Sequence, residues 1–196
     1  MTEGILERWL EELVATPGLT AIPSVEEARR SLAEDALAAA ALVRGSPGPV
    51  VDVGSGGGSP GIPLALALPD RPFTLLEAER RKCAFLERWA AELPNVEVVW
   101  GRAEEQDVDS FGVALAKALA KPPVAAELCL PLVRLGGVAI LWVGETAEPT
   151  RVAAVAARLS AALEPGPPGL LVLRKLGPTP PGFPRRPGMA KKRPLA

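Results

Sequence analysis

The chain has 196 residues, 48% hydrophobic and 23% charged, with a formal net charge of −1. That balance suits one substantial soluble core, or a core with an appendage. No run approaches the roughly 20 apolar residues of a membrane helix, and Met1-Thr2-Glu3-Gly4 lacks a secretory leader pattern, so a cytoplasmic protein without membrane contact is expected.

There is no histidine, and the two cysteines, Cys83 and Cys129, lie inside apolar helical patterns. No metal site is expected, and mechanisms with a histidine base are excluded. Tyrosine is absent, Asn95 and Gln106 are the only side-chain amides, and there are 22 prolines. This composition fits a thermophile or a GC-rich genome. Residues 1–48 hold eight acids and four bases, whereas residues 170–196 hold seven bases and no acid. A basic end on a nearly neutral chain suits either a polyanion partner or a solvated tail.

Ile5, Trp9, Leu10 and Leu13 repeat at helical spacing over residues 4–15. Ser24 and Glu27 form a capping-box pattern that opens a second helix over about 24–44. Strands are predicted at 49–53, 72–77, 96–100, 112–116, 138–143 and 169–175. Helices are predicted at 61–68, 80–92, 122–134 and 148–162. This alternation implies a parallel sheet with helices on both faces. Segment 159–176 reads as a closing hairpin, and the proline-rich stretch after Gly177 as irregular chain. The expected organisation is a helical cap (1–46), a Rossmann-like core (47–177) and a basic tail (178–196) packed on or extending from that core.

The first strand stops at Val53 and breaks into Gly54-Ser55-Gly56-Gly57-Gly58-Ser59-Pro60-Gly61 before a helix restarts. Gly56, Gly58 and Gly61 satisfy the dinucleotide pattern G-x-G-x-x-G. From Asp52 the same stretch reads D-x-G-x-G-x-G, the pattern of adenosylmethionine (AdoMet) binders. The second reading is preferred. Asp52 at the strand tip suits a cationic methionine ammonium, whereas beside a pyrophosphate it would meet like charge. Glu77 ends the second strand and can accept both ribose hydroxyls of either cofactor. After the third strand, Ala103 and Glu104 are placed to meet an adenine edge.

Val51-Asp52-Val53-Gly54-Ser55-Gly56-Gly57-Gly58-Ser59-Pro60-Gly61-Ile62-Pro63-Leu64, the run from Glu77 to Leu86, Gly101-Arg102-Ala103-Glu104 and the ending Thr179-Pro180-Pro181-Gly182-Phe183-Pro184-Arg185-Arg186-Pro187-Gly188 form a recognisable set. Together they resemble the bacterial 16S ribosomal RNA guanine-N7 methyltransferase G family, formerly called glucose-inhibited division protein B. The resemblance implies a class I AdoMet-dependent methyltransferase fold, AdoMet as methyl donor, and 16S rRNA or the small ribosomal subunit as partner; a monomer is expected, though the sequence itself is silent on oligomeric state. By position it implies cofactor contacts at Gly54, Ser59, Ala103 and Glu104, and a ribose acid at Glu77. Asp52, Ser55, Gly56 and Gly58 complete the expected cofactor loop.

Lys117 stands where the family has an arginine after the fourth strand, and inherits that role. Leu32 replaces a histidine three residues before Asp35, Val143 replaces a lysine after the fifth strand, and Lys121 replaces a proline. These departures leave a second reading, a diverged AdoMet-binding relative with another target or no catalysis.

Guanine N7 carries a lone pair and no proton, so its methylation needs alignment rather than a general base. No catalytic residue is therefore required, with Lys117 the one candidate. Arg185, Arg186, Lys191, Lys192 and Arg193 are the expected RNA-backbone contacts. Arg80, Arg81 and Lys82 can assist or form a solvated helix face. Trp142 and Phe183 can stack on a base or belong to the core.

Overall fold

The computed structural model describes residues 2–144 and 146–196; Met1, the first residue of the expected cap, lies outside the described residues. The N-terminal helix α1 (Thr2–Ala15) buries Trp9, Leu10 and Leu13 at the spacing expected. Ser24 caps α2 (Val25–Ala28) by accepting from the Glu27 N–H at 3.3 Å.

The single helix expected over 24–44 is instead broken. A π-helical turn covers Arg29–Glu34, followed by α3 (Asp35–Leu37) and α4 (Ala40–Gly45). No glycine or proline interrupts this stretch, so the break has a tertiary cause. The hydroxyl of Ser59 donates to the Leu32 carbonyl at 2.7 Å, capturing an oxygen inside the π turn. Ala28, Ala33, Ala36 and Ala39 are all buried, their small side chains letting this segment press closely onto the core.

The sheet has seven strands: β1 (Val50–Val53), β2 (Phe73–Glu77), β3 (Val96–Trp100), β4 (Phe111–Ala116), β5 (Val133–Trp142), β6 (Ala161–Glu164) and β7 (Leu170–Lys175). Their order is β3-β2-β1-β4-β5-β7-β6, with β7 antiparallel to both neighbours and the β1–β5 pairings parallel. Crossover helices are α5 (Gly61–Ala67), α6 (Arg80–Ala90), α7 (Pro122–Cys129) and α8 (Pro149–Arg158). β1 and β2 are buried along their whole length, which accounts for their unbroken apolar runs.

Two expected helices run too long. The helix expected over 122–134 ends at Cys129, passes through a 3₁₀ turn at Leu130–Leu132, and yields to β5 five residues before the expected strand start of 138. Pro131 within that turn removes a backbone donor that a continuing helix needs. The helix expected over 148–162 ends at Arg158; Ser160 takes φ +55 and β6 begins at Ala161.

The cap shares its core with the sheet's helices. Trp9, Leu10, Leu13 and Ala28 cluster with Ile62, Leu75, Phe85 and Leu86. The tail is tied down where it leaves β7: the fully buried Lys175 donates from Nζ to the Leu130 carbonyl and to Thr179 Oγ1, both at 2.7 Å. Thr179 Oγ1 in turn donates to Asp109 Oδ1 at 2.7 Å. Further along, Phe183, Leu195 and Ala196 pack against the α7–β5 core, and a short helix α9 (Met189–Lys192) buries Ala190. The tail therefore packs on the core rather than extending from it.

Candidate functional site

The site lies at the carboxyl ends of β1, β2, β3 and β4, where a doubly wound sheet opens a crevice between diverging connections. β1 passes directly into the glycine loop. The N–H groups of Gly54 and Ser55 donate to the Leu76 carbonyl at 2.8 and 3.1 Å, pinning the loop to the end of β2. Gly56, at φ +57, turns its N–H onto Glu77 Oε2 at 2.8 Å. The other oxygen, Oε1, accepts from the Glu79 N–H at 2.8 Å. Two backbone donors thus fix the plane of the Glu77 carboxylate, and its remaining lone pairs stay available.

The rest of the loop is braced by the cap. Trp9 Nε1 donates to the Gly57 carbonyl at 2.9 Å, and Ser59 holds Leu32 as described. Gly61 opens α5 against the carboxylate of Asp52, its N–H donating to Oδ2 at 3.0 Å. A Cβ at Gly61 would stand 2.8 Å from that oxygen and 2.3 Å from Leu75 Cδ2, so only glycine allows this approach.

A cleft of about 520 Å³ results, within the roughly 300–1,000 Å³ of small-molecule sites. Eight of the expected cofactor residues line it: Gly54, Ser55, Gly56, Ser59, Glu77, Ala103, Glu104 and Lys117. Asp52 and Gly58 do not. Asp52, expected at a methionine ammonium, is fully buried behind the loop, outside the cleft lining, with Oδ1 unpartnered. Burial pushes its carboxyl up to about 7 against the hydrogen bonds from Gly61 and Ser55, and the Glu77 charge adds to the rise.

The basic tail also departs from expectation. Arg185 does not face solvent as an RNA contact. It forms a bidentate pair with Glu127 on α7, at 2.6 and 2.7 Å, because that carboxylate is buried and needs a cation. Lys191 lines the cleft beside Gly188 and Ala190. The Gly188 N–H donates to Glu104 Oε1 at 2.9 Å, closing the wall next to β3. Arg186, Lys192 and Arg193 are exposed. Of the aromatics, Trp142 is half-buried against the β5 core and Phe183 packs on the α7 side.

Sequence reasoning missed the tail's share of the cleft wall, the Glu127 anchor, and an ion pair between Lys117 and Asp35. A lone acid inside the apolar run Ala125-Ala126-Glu127-Leu128 was the available signal for the second of these.

The strand order, the glycine loop after β1 and the acid ending β2 define a class I methyltransferase fold. Solved structures agree at the level of fold. A predicted O-methyltransferase from Agrobacterium tumefaciens superposes with TM-score 0.58 at 19% identity, covering 71% of this chain and 79% of that one. The antibiotic-resistance methyltransferase Kmr gives 0.56 at 15% identity, covering 70% and 90%. The chain belongs to the rRNA small subunit methyltransferase G family (GidB), whose profile matches residues 5–161.

Curated relatives bearing the name ribosomal RNA small subunit methyltransferase G include one from Moorella thermoacetica. It is 36% identical over 90% of this chain and 82% of its own length. Those from Rubrobacter xylanophilus and Synechococcus sp. are 40% and 38% identical over 76% and 74% of this chain. The chain spans 65% and 63% of their respective lengths.

Proposed function

We propose that this chain uses AdoMet to methylate guanine N7 in 16S rRNA. The observation that carries the reading is the Glu77 carboxylate, held by the Gly56 and Glu79 N–H groups and lining the cleft at the end of β2. A carboxylate fixed there accepts a ribose diol, and the open space above Gly56 admits the sugar without a side chain in the way. Ala103 and Glu104 then flank the adenine, with the Gly188 turn behind them. Gly54, Ser55 and Ser59 border the methionine portion, over β1 and toward β4. Gly58 and the buried Asp52 act from behind, shaping the loop.

In this reading residues 1–46 brace the loop as a cap, 47–177 form the catalytic core, and 178–196 complete the cleft. When bound, AdoMet supplies a sulfonium methyl as the electrophile. The protein's part is to bind it, exclude water and align the purine lone pair with the methyl. No side chain needs to take a proton, in keeping with a chain that has no histidine. Leu32, in the position of the family histidine, lines the cleft with an apolar side chain and engages Ser59 through its carbonyl. The substitution therefore strands no polar group, which favours an active enzyme over a silent relative.

Incubation with methyl-tritiated AdoMet and purified small subunits tests the reading. The expected product is 7-methylguanosine in 16S rRNA, detected by borohydride and aniline strand cleavage. Label in another base, or none with naked rRNA and subunits alike, overturns it.

A further inference from the structure

Three elements meet at the β4 side of the cleft. Lys117, just past β4, pairs through Nζ with Asp35 Oδ2 on α3. Trp142, ending β5, donates from Nε1 to the Asp35 backbone carbonyl at 3.2 Å. The indole also lies beside the ammonium, its centroid 6.0 Å from Lys117 Nζ. Lys117 lines the cleft and its side chain is 15% exposed, whereas Asp35 stands just outside the cleft lining with its side chain 47% exposed. Passing from the cleft to solvent, a ligand therefore meets a cation and then a carboxylate.

We propose that Asp35 and Lys117 read the guanine base, with Trp142 as a positioning residue for both. This rests on the methyl-transfer reading above. If ribose and adenine occupy the β2 and β3 ends, the reactive end of the cofactor points over β1 and β4, toward this pair. A guanine presenting N7 to the methyl carries, in order around its rim, the O6 acceptor, the N1–H donor and the N2 amino donor. Cation then carboxylate is the complement of that order: Lys117 donates to O6, and Asp35 accepts from N1–H and N2–H. Adenine offers an amino donor where O6 would be and a bare N1 acceptor next to it, so it meets both groups with the wrong polarity.

The same arrangement favours the reaction itself. The N7 lone pair forms the new N–C bond while the C–S pair returns to sulfur. Positive charge thus moves from sulfonium to purine, and no proton changes hands. The charged purine is a stronger N1–H donor than the neutral one. The Asp35 hydrogen bond therefore tightens in the transition state.

The test needs no RNA. With S-adenosylhomocysteine present, GMP, IMP and AMP are titrated while the Trp142 indole N–H is followed by NMR. GMP is expected to shift that signal saturably, IMP, which lacks the amino group, to bind roughly ten-fold more weakly, and AMP to have no effect. Equal shifts with GMP and AMP, or none with either, overturn the proposal. Asp35→Asn is expected to erase the nucleotide preference and to lower kcat on small subunits by roughly 100-fold. Its affinity for S-adenosylhomocysteine should stay within about two-fold of wild type. A variant that keeps both preference and kcat sinks this inference alone. Wild-type protein that methylates no 16S guanine sinks the functional reading instead.

Discussion

Arg185 and Glu127 join the C-terminal tail to helix α7: Nε and Nη2 of the arginine meet the two carboxylate oxygens at 2.6 and 2.7 Å. Nη2 also donates to the Arg193 carbonyl at 2.8 Å, so one guanidinium closes the tail upon itself and onto α7. The Glu127 side chain is only 3% exposed, which makes the pair costly to break from one side. Arg185→Ala leaves that carboxylate buried without a counter-charge and should cost about 3–5 kcal/mol. Thermal melting should fall by roughly 10 °C. AdoMet binding, measured by calorimetry, should weaken as the Gly188–Lys191 wall loosens. The apolar pair Glu127→Leu with Arg185→Met should regain most of the lost stability. Unchanged melting of Arg185→Ala would remove the anchoring role.

Glu77 is expected to dominate cofactor affinity. Glu77→Ala removes the proposed ribose acceptor and also frees the Gly56 and Glu79 N–H groups, three roles lost with one carboxylate. With each charge-assisted bond worth about 1.5–3 kcal/mol, AdoMet affinity should fall by at least roughly 100-fold. Glu77→Gln keeps one carbonyl acceptor and should fall between the two. Isothermal calorimetry on folded variants checks both, and wild-type affinity in Glu77→Ala would displace Glu77 from the ribose site.

Much of this site was legible because its signals are local. The runs Val50–Val53 and Phe73–Glu77 are buried on both faces and end in punctuation, glycine after one and an acid at the end of the other. What stayed hidden depends on partners far apart in sequence. Asp35 meets Lys117 across 82 residues, and Arg185 meets Glu127 across 58. The break in the second helix is imposed by a serine hydroxyl 27 residues later. Ala161-Ala162-Leu163-Glu164 is helix-forming by composition, yet pairing with β7 overrides that preference. A charge run shows that a tail is basic; only the fold shows that Arg185 is spent on an internal acid while Arg186, Lys192 and Arg193 face solvent.

Arg186, Lys192 and Arg193 are the exposed tail cations away from the cleft, Lys191 being exposed at its wall, and they are proposed as RNA-backbone contacts. The triple variant Arg186→Ala, Lys192→Ala, Arg193→Ala should bind 16S rRNA more weakly. The slope of log K against log salt should flatten by roughly 2–3. AdoMet affinity should hold. Filter binding across a salt series reads the slope directly, and an unaltered slope moves the RNA footprint elsewhere on the molecule.

Asp52 makes stability depend on pH in an unusual direction. Its carboxyl sits at about 7 in the folded protein because of burial, against about 3.9 in an unfolded chain. Below pH 4 both states hold the proton and the group is neutral to stability. Between pH 4 and 7 the unfolded chain gives up its proton while the folded one keeps it, so stability falls as pH rises. Above pH 7 both have lost it, and the penalty levels off at a few kcal/mol on the order of magnitude. Asp52→Asn carries no such charge and its carbonyl can still accept from the Gly61 N–H. Urea unfolding should show the variant gaining on wild type between pH 5 and pH 8. A difference that does not change across that range would mean Asp52 is ionised throughout.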